Sequence, residues 1–314
     1  EIFEQMVRIG KEDVIIGISF PRYSMRTLKA MEFANNRSAK VITLTDSVHS
    51  PMNLYSSCNL IADSDMASIV DSLVAVKHYL AEQPDGMPGL RAALQTNFAE
   101  APGLRARLLA YPKYGSMIAE PDSVAIRLAS AVSDKVYALR NPAGRPFMPD
   151  YSTPSTHLLY GYWVGATPDG RPARAMLGYG VDPRPEVTAT ELTDQLLSER
   201  GLPFGKMVGG YASHIGLSPA TFADRDDLES KGVAMRDRVI RPLFAADADG
   251  NAPYYVYFNI DNAKHLRKIL TDPAKYVPSG IYIMRIHGTF VNFLDLAPAI
   301  QEDIIKRLER SECA

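Results

Sequence analysis

The stretch Tyr282-Ile-Met-Arg-Ile-His-Gly-Thr-Phe-Val-Asn-Phe293 constrains this chain more than any other. Apolar residues run to Ile286, His287-Gly288 interrupts them, and Phe290, Val291 and Phe293 resume. The pattern predicts two short buried strands joined at a glycine tip. Glycine permits the tight backbone path such a tip needs. Taken alone, a single glycine between apolar runs is a plain reverse turn. Its neighbours add to it: Tyr255-Val-Tyr-Phe-Asn259, Leu266-Arg267 and Asp272-Pro-Ala-Lys-Tyr276 precede it, while Leu296 and a helix over Gln301–Arg307 follow.

Composition removes several classes of function. The 314 residues are 46% hydrophobic and 22% charged with a net charge of −2, which is ordinary for one large or two smaller globular domains. Neither nucleic acid nor an anionic membrane is implied as an obligate partner. No apolar run reaches the roughly 18 residues of a membrane helix, and no signal segment opens the chain, which starts at Glu1 rather than Met. Two distant cysteines, Cys58 and Cys313, make no disulfide framework and fit a reducing cytoplasm. The six histidines lack metal-ligand spacing, so no metal site is expected. Asp247-Ala-Asp-Gly-Asn251 imitates the start of a calcium loop but lacks its later ligands, and reads as a connecting turn.

Residues 1–70 alternate strand and helix signals. Asp13–Ser19, Lys40–Thr45 and Cys58–Ala62 read as strands, and Ser24–Asn35 as a helix turning Leu28, Met31 and Ala34 inward. This βαβ order implies a parallel sheet. The wording VIIGISFPRYSMRTLKAMEFA, AKVITLTDSVHSPM and CNLIAD resembles part of a sugar isomerase (SIS) domain of the kind found in RpiR-type repressors, over about residues 1–80. The resemblance implies a three-layer α/β domain, partial here, that binds a phosphosugar through Ser19, Ser24 and Thr27. A helix N-terminus favours such an anion, and Ser24 serves equally well as a simple N-cap.

From Asp71, which could cap a helix with Leu73, Val76 and Leu80 on one face, the character changes. Pro112-Lys-Tyr-Gly115, a long helix over Val124–Leu139, Gly165-Ala-Thr-Pro-Asp-Gly-Arg171, Val187–Glu191 and Gly209–His214 lead to the glycine stretch. In this order they resemble the C-terminal region of glycyl radical enzymes, the pyruvate formate-lyase family, over about residues 71–314, with Arg285-Ile-His-Gly288-Thr in place of that family's Arg-Val-x-Gly-Tyr. The expected architecture is therefore α/β: a partial SIS domain over 1–75, joined near residues 71–80 to part of a glycyl radical α/β barrel over 76–314, with its radical loop at 282–293.

The resemblance implies that Gly288 carries the radical as a covalent modification, that no other cofactor is bound, and that Arg285 and His287 support the loop, Arg285 by pairing with an acid. A planar radical at Cα, shared with the flanking amides, requires a residue without a side chain. The implied partner is a radical S-adenosylmethionine activating enzyme, and a barrel-containing enzyme subunit is a second. The family's substrate-side cysteine, two residues ahead of a glutamate, has no counterpart, because no Cys-x-Glu occurs in the sequence. A lyase-, dehydratase- or formate acetyltransferase-like protein that is incomplete follows. The alternatives are a sugar-phosphate-sensing module and a spare radical subunit.

Overall fold

The computed structural model describes every residue except 1–5, 7, 19–24, 46–50, 57, 62–64, 142–143, 153–155, 185–191, 287–288 and 313–314. Its first unit follows the expected βαβ order. Strands β1 (Val14–Ile18), β2 (Lys40–Thr45) and β3 (Cys58–Ile61) pair in parallel, with Val14 opposite Lys40 and Ile42 opposite Cys58. Helix α1 (Met25–Asn36) crosses between β1 and β2 and buries Met31 and Ala34 against Val41 and Met52. Leu28 sits at the margin of this cluster, as the helical spacing predicted.

Helices dominate the middle of the chain. Helix α2 (Met66–Glu82) is capped by Asp65, whose side chain accepts from the Ser68 backbone N–H at 2.9 Å. Asp71 is therefore no cap but a fully buried residue one turn further on. The buried face carries Val70, Val74 and Tyr79, whereas Leu73 is half exposed. Spacing could not fix the helix's phase because residues 69–76 are apolar almost all round.

Helices α3 (Met87–Gln95) and α4 (Pro102–Ala110) each place a proline in the first turn, where its missing N–H costs nothing. Helix α5 (Ala119–Ala138) packs its small residues Ala125, Ala129 and Ser133 inward, and its path runs along α2. Acids Glu120 and Asp122 occupy its first turn, where the helix dipole favours negative charge. Glu120 also receives Lys77 Nζ at 2.5 Å and His78 Nε2 at 2.7 Å, which fastens α5 to α2.

Three small sheets complete the described structure. Strands β4 (Asp150–Tyr151) and β5 (Gly210–Tyr211) pair in parallel over two residues. Strands β6 (His214–Leu217) and β7 (Tyr257–Ile260) pair in parallel over four. Strands β8 (Ile283–Ile286) and β9 (Thr289–Asn292) form an antiparallel hairpin. Between them lie helices α6 (Thr156–Trp163), α7 (Leu192–Arg200), α8 (Leu228–Met235), α9 (Arg241–Phe244), α10 (Ala263–Thr271) and α11 (Pro273–Tyr276). Helix α12 (Pro298–Glu312) follows the hairpin and lies along β6.

This corrects the expected architecture. Among the described residues there is no closed barrel and no three-layer sheet. The chain is mostly helical, with open sheets of two strands beside the three-stranded β1–β2–β3. Closing a barrel takes a continuous ring of about eight strands, and pairs of two to four rungs cannot supply it.

Helix α12 reaches β6 through a glycine. A Cβ at Gly216 would lie 2.7 Å from the carbonyl carbon and oxygen of Arg307 and 2.8 Å from the Leu308 nitrogen, all backbone atoms that cannot swing aside. Gly216→Ala is therefore expected to destabilise the chain by about 1–3 kcal/mol through overpacking. Gly232→Ala, on α8 with open space around it, is expected to add about 0.5–1 kcal/mol from helix propensity. Urea unfolding of the two variants measures this opposition of sign.

Candidate functional site

The hairpin comes first because the sequence pointed to it. Register places Ile283 opposite Asn292, Arg285 opposite Phe290 and Ile286 opposite Thr289. Period-2 alternation then divides the two faces. Met284 and Ile286 are buried in a cluster with Leu266 and Ile269 of α10, Phe293, and Ile304, Ile305 and Leu308 of α12. Ile283, Arg285 and Phe290 face outward, Phe290 being 76% exposed. The pairing ends at Ile286 and Thr289, and the two residues joining the strands, His287 and Gly288, lie outside the described residues.

Side-chain bonds brace the other end of the hairpin. Asn292 Oδ1 accepts from the Tyr282 backbone N–H at 2.8 Å, and its Nδ2 donates to the Gly280 carbonyl at 3.0 Å. Tyr282 donates its hydroxyl to Asp261 at 2.9 Å. Burial, with Asp261 adding to it, pushes that hydroxyl well above the ordinary tyrosine range. Arg285 was expected to pair with an acid. Its guanidinium instead lies over the Tyr257 ring, 5.7 Å from the centroid, a cation–π contact. Burial pushes the Tyr257 hydroxyl up to about 12 against the opposing charge of Arg285.

Of the other residues singled out in the sequence, Thr27 and Cys58 lie in the β1–β2–β3 unit. Thr27 is half-buried on α1, while Ser19 and Ser24 lie outside the described residues. Cys58 lies on β3, and Cys313 lies outside the described residues. Among the described residues no group of three or more His, Cys, Asp or Glu is arranged to hold a metal ion. Asp247 Oδ1 accepts from the backbone N–H groups of Asp249 at 3.0 Å and Asn251 at 2.8 Å, so the calcium-like segment is a self-capped turn. No helix among them is long and apolar enough to cross a membrane.

Sequence reasoning missed a buried ionic network behind the hairpin. Arg307 of α12 sits between two carboxylates, with Nη1 3.0 Å from Asp182 Oδ2 and Nε 3.1 Å from Asp303 Oδ1. It also lies 5.2 Å from the Tyr179 ring centroid. Both Asp182 oxygens accept from the His214 backbone N–H at 3.0 Å. The His214 ring stacks on Tyr179 with centroids 4.1 Å apart. His157 Nε2 meets Asp303 Oδ2 at 3.4 Å. Burial alone would raise the Asp303 carboxyl, but Arg307 and His157 hold it far below the usual carboxylate range. Burial likewise opposes the charge of Arg307, and the two aspartates raise its pKa regardless. Asp182, His214, Gln195 and Arg307 border a cavity of about 10 Å³, room for roughly one water.

A second network adjoins the first through the same loop. Thr167 donates to Asp169 Oδ1 at 2.5 Å, and Gly170 adopts φ +92°, closing the expected tight turn. The Pro-Asp-Gly-Arg motif is more than a turn, however. Arg171, fully buried, donates to the carbonyls of Gly165 and Ala175 at 2.5 and 2.7 Å. Asp169 pairs with buried Arg184 at 3.0 Å. Beside them Asp71 Oδ1 accepts from the Tyr114 backbone N–H at 2.7 Å, while Oδ2 has no hydrogen-bond partner among the described residues. Lys113 is buried nearby, donating to the Leu108 and Tyr111 carbonyls at 2.7 and 2.9 Å.

These groups hold segments together and present no nucleophile. One signal was available: Asp303 and Arg307, at i and i+4, share a helix face with Ile304 and Leu308, and charges on an apolar stripe are buried ones.

The chain resembles known proteins along most of its length. The family described as pyruvate formate lyase-like matches residues 17–161. Over 199 residues the chain is 28% identical to the PFL-like enzyme TdcE of Escherichia coli K12, covering 63% of this chain and 25% of that protein. Over 250 residues it is 27% identical to isethionate sulfite-lyase of Bilophila wadsworthia, covering 77% of this chain and 28% of that protein. The B12-independent glycerol dehydratase of Clostridium butyricum superposes with a TM-score of 0.65 at 25% identity, over 88% of this chain and 31% of the dehydratase. The chain thus resembles pyruvate formate lyase-like proteins in sequence and a B12-independent glycerol dehydratase in fold. It spans between about a quarter and a third of the length of the relatives it matches.

The match also overturns one expectation. It begins at residue 17, inside β1, and passes through residues 71–80 without a break, and the structural likeness covers 88% of the chain. A separate SIS domain over 1–75 therefore has no support, and the likeness is not confined to 71–314. With that domain goes the warrant for phosphosugar binding by Ser19, Ser24 and Thr27. A βαβ unit with hydroxyls after its first strand recurs in many α/β settings and does not identify one.

Asp71 supplies a pH test. Burial raises its carboxyl from the usual 3.8 to about 7, with Asp169 adding to the shift and the Tyr114 bond, Lys113 and Arg184 opposing it. An acid raised on folding favours the protonated native state. Its contribution is thus complete below pH 3.8 and is lost as pH climbs towards 7. Asp71→Asn keeps an acceptor for Tyr114 but cannot ionise. Its stability relative to the parent chain is expected to rise by more than about 1 kcal/mol between pH 4.5 and 7.5, read from urea midpoints at each pH.

Proposed function

We propose that Gly288 stores an organic radical for lyase, dehydratase or acyltransferase chemistry of the glycyl radical type. The observation that carries this is the β8–β9 hairpin, whose pairing stops at Ile286 and Thr289 and leaves His287-Gly288 to join the strands. Its inner face is fixed by Met284 and Ile286 in a buried cluster, so strands β8 and β9 rest on a rigid base, as a radical site requires. One hydrogen atom leaves Gly288 Cα for the abstracting radical of an S-adenosylmethionine activating enzyme. The remaining electron is shared with the flanking amides. Arg285 and His287 flank the site, and the Tyr257 ring holds Arg285.

The chemistry on substrate needs a second radical site, a cysteine with a neighbouring acid. Residues 1–314 contain no Cys-x-Glu, so in this reading the attacking thiol comes from elsewhere in an assembled enzyme. The reaction class and substrate follow from that missing part.

Anaerobic incubation with an activating enzyme and S-adenosylmethionine is expected to produce an organic-radical signal in electron paramagnetic resonance, absent from Gly288→Ala. An unchanged signal in that variant removes the assignment. The activated chain by itself is expected to convert none of pyruvate with coenzyme A, diols, hydroxyproline or isethionate. Turnover that vanishes in Cys58→Ser or Cys313→Ser would mean that a thiol of this chain completes the site.

A further inference from the structure

The groove between α7 and the helical run Leu228–Phe244 belongs neither to the hairpin nor to the ionic network. Its floor is Leu217, Phe222 and Leu243, all buried, and Leu196, Leu197 and Val239 rise along its sides. The space measures about 270 Å³, near the lower end of small-molecule pockets at roughly 300 Å³. A break in helical register shapes it. Residues Arg236–Ile240 form a π-helical turn between α8 and α9, with the Arg241 N–H bonded to the Arg236 carbonyl five residues back. Pro242, one residue on, has no N–H for the ordinary i−4 bond. The widened turn sets Arg238 and Val239 against the groove, and such turns recur at functional sites.

The charges along the groove have one sign. Both charged lining residues are arginines, Arg200 and Arg238. Arg238 is already forked onto Asp224, at 3.2 and 2.7 Å. Arg200 makes a single 3.3 Å bond to the Ala245 carbonyl and has no carboxylate partner among the described residues. An apolar trough is therefore lined by one guanidinium, that of Arg200, with no carboxylate partner among the described residues, and its planar fork matches a carboxylate.

We propose that this groove binds an amphipathic carboxylate, with the aliphatic body along Leu196, Leu217 and Phe222 and the anion on Arg200. The full chain can be titrated calorimetrically with decanoate, below its micellar range, and with decanol. Saturable decanoate binding is expected, with decanol about tenfold weaker for want of the charge-assisted bond. Arg200→Gln is expected to weaken decanoate about tenfold and leave decanol unchanged. Leu196→Trp, which fills the trough, is expected to remove both, with circular dichroism matching the parent chain. The proposal falls if decanoate shows no saturable binding, or if Arg200→Gln binds it as the parent does. It falls equally if sedimentation shows the groove closed in a dimer of this chain that Leu196→Trp dissociates.

Discussion

Arg307 is the interaction on which the arrangement around the hairpin depends. A guanidinium removed from water is tolerable only when its charge and donors are met. Here Asp303 comes from its own helix and Asp182 from a loop 125 residues earlier, while the Tyr179 ring covers one side. The helix that carries Arg307 also supplies Ile304, Ile305 and Leu308 to the cluster beneath the hairpin. Fixing the position of Arg307 therefore fixes the cluster on which strands β8 and β9 rest. The hydrophobic cluster provides the burial, and the ion pairs choose one orientation of α12 over its neighbours.

The segment from Tyr179 to Arg184 joins the two networks. Asp182 faces α12, and Arg184, two residues on, faces Asp169 of the Pro-Asp-Gly-Arg turn. Two residues before Asp182, Gly180 adopts φ +55°, and a Cβ there would strike the Ala212 carbonyl at 2.0 Å. The turn motif and the C-terminal helix are thus mechanically linked although neither touches the other's sequence neighbourhood. Disturbing the Asp169–Arg184 pair would be felt at Asp182 through two residues of backbone.

Local pattern made much of this legible. The parallel strands of the first unit, the α12 helix and the strands flanking Gly288 were all readable from period and from punctuation by glycine. The register of α2 was not, because Leu73, Val74 and Val76 offer apolar faces in several directions and only tertiary packing selects among them. The wider architecture was misread for a related reason. A βαβ signal is local, whereas membership in a three-layer sheet or a barrel depends on strands distant in sequence. The buried acids were hidden because Asp71, Asp169, Asp182 and Asp303 look like ordinary caps, turns and helix-surface charges until the fold brings their partners near. Even so, Arg307 beside Ile304 and Leu308 carried the information.

The long reach of Arg307 has a consequence for biosynthesis. Ribosomes deliver residues in order, so Asp182 and His157 emerge 125 and 146 positions before Arg307 and Asp303, which pair with them. Until then the loop around Tyr179 holds an acid that cannot be buried without penalty, and β6 lacks the helix that lies across Gly216. Non-local closure of this kind comes late and slowly. The nascent chain would stay open on that side, keeping its strand edges solvated, until α12 arrives. The same buried charges that fix the final arrangement therefore also discourage premature collapse.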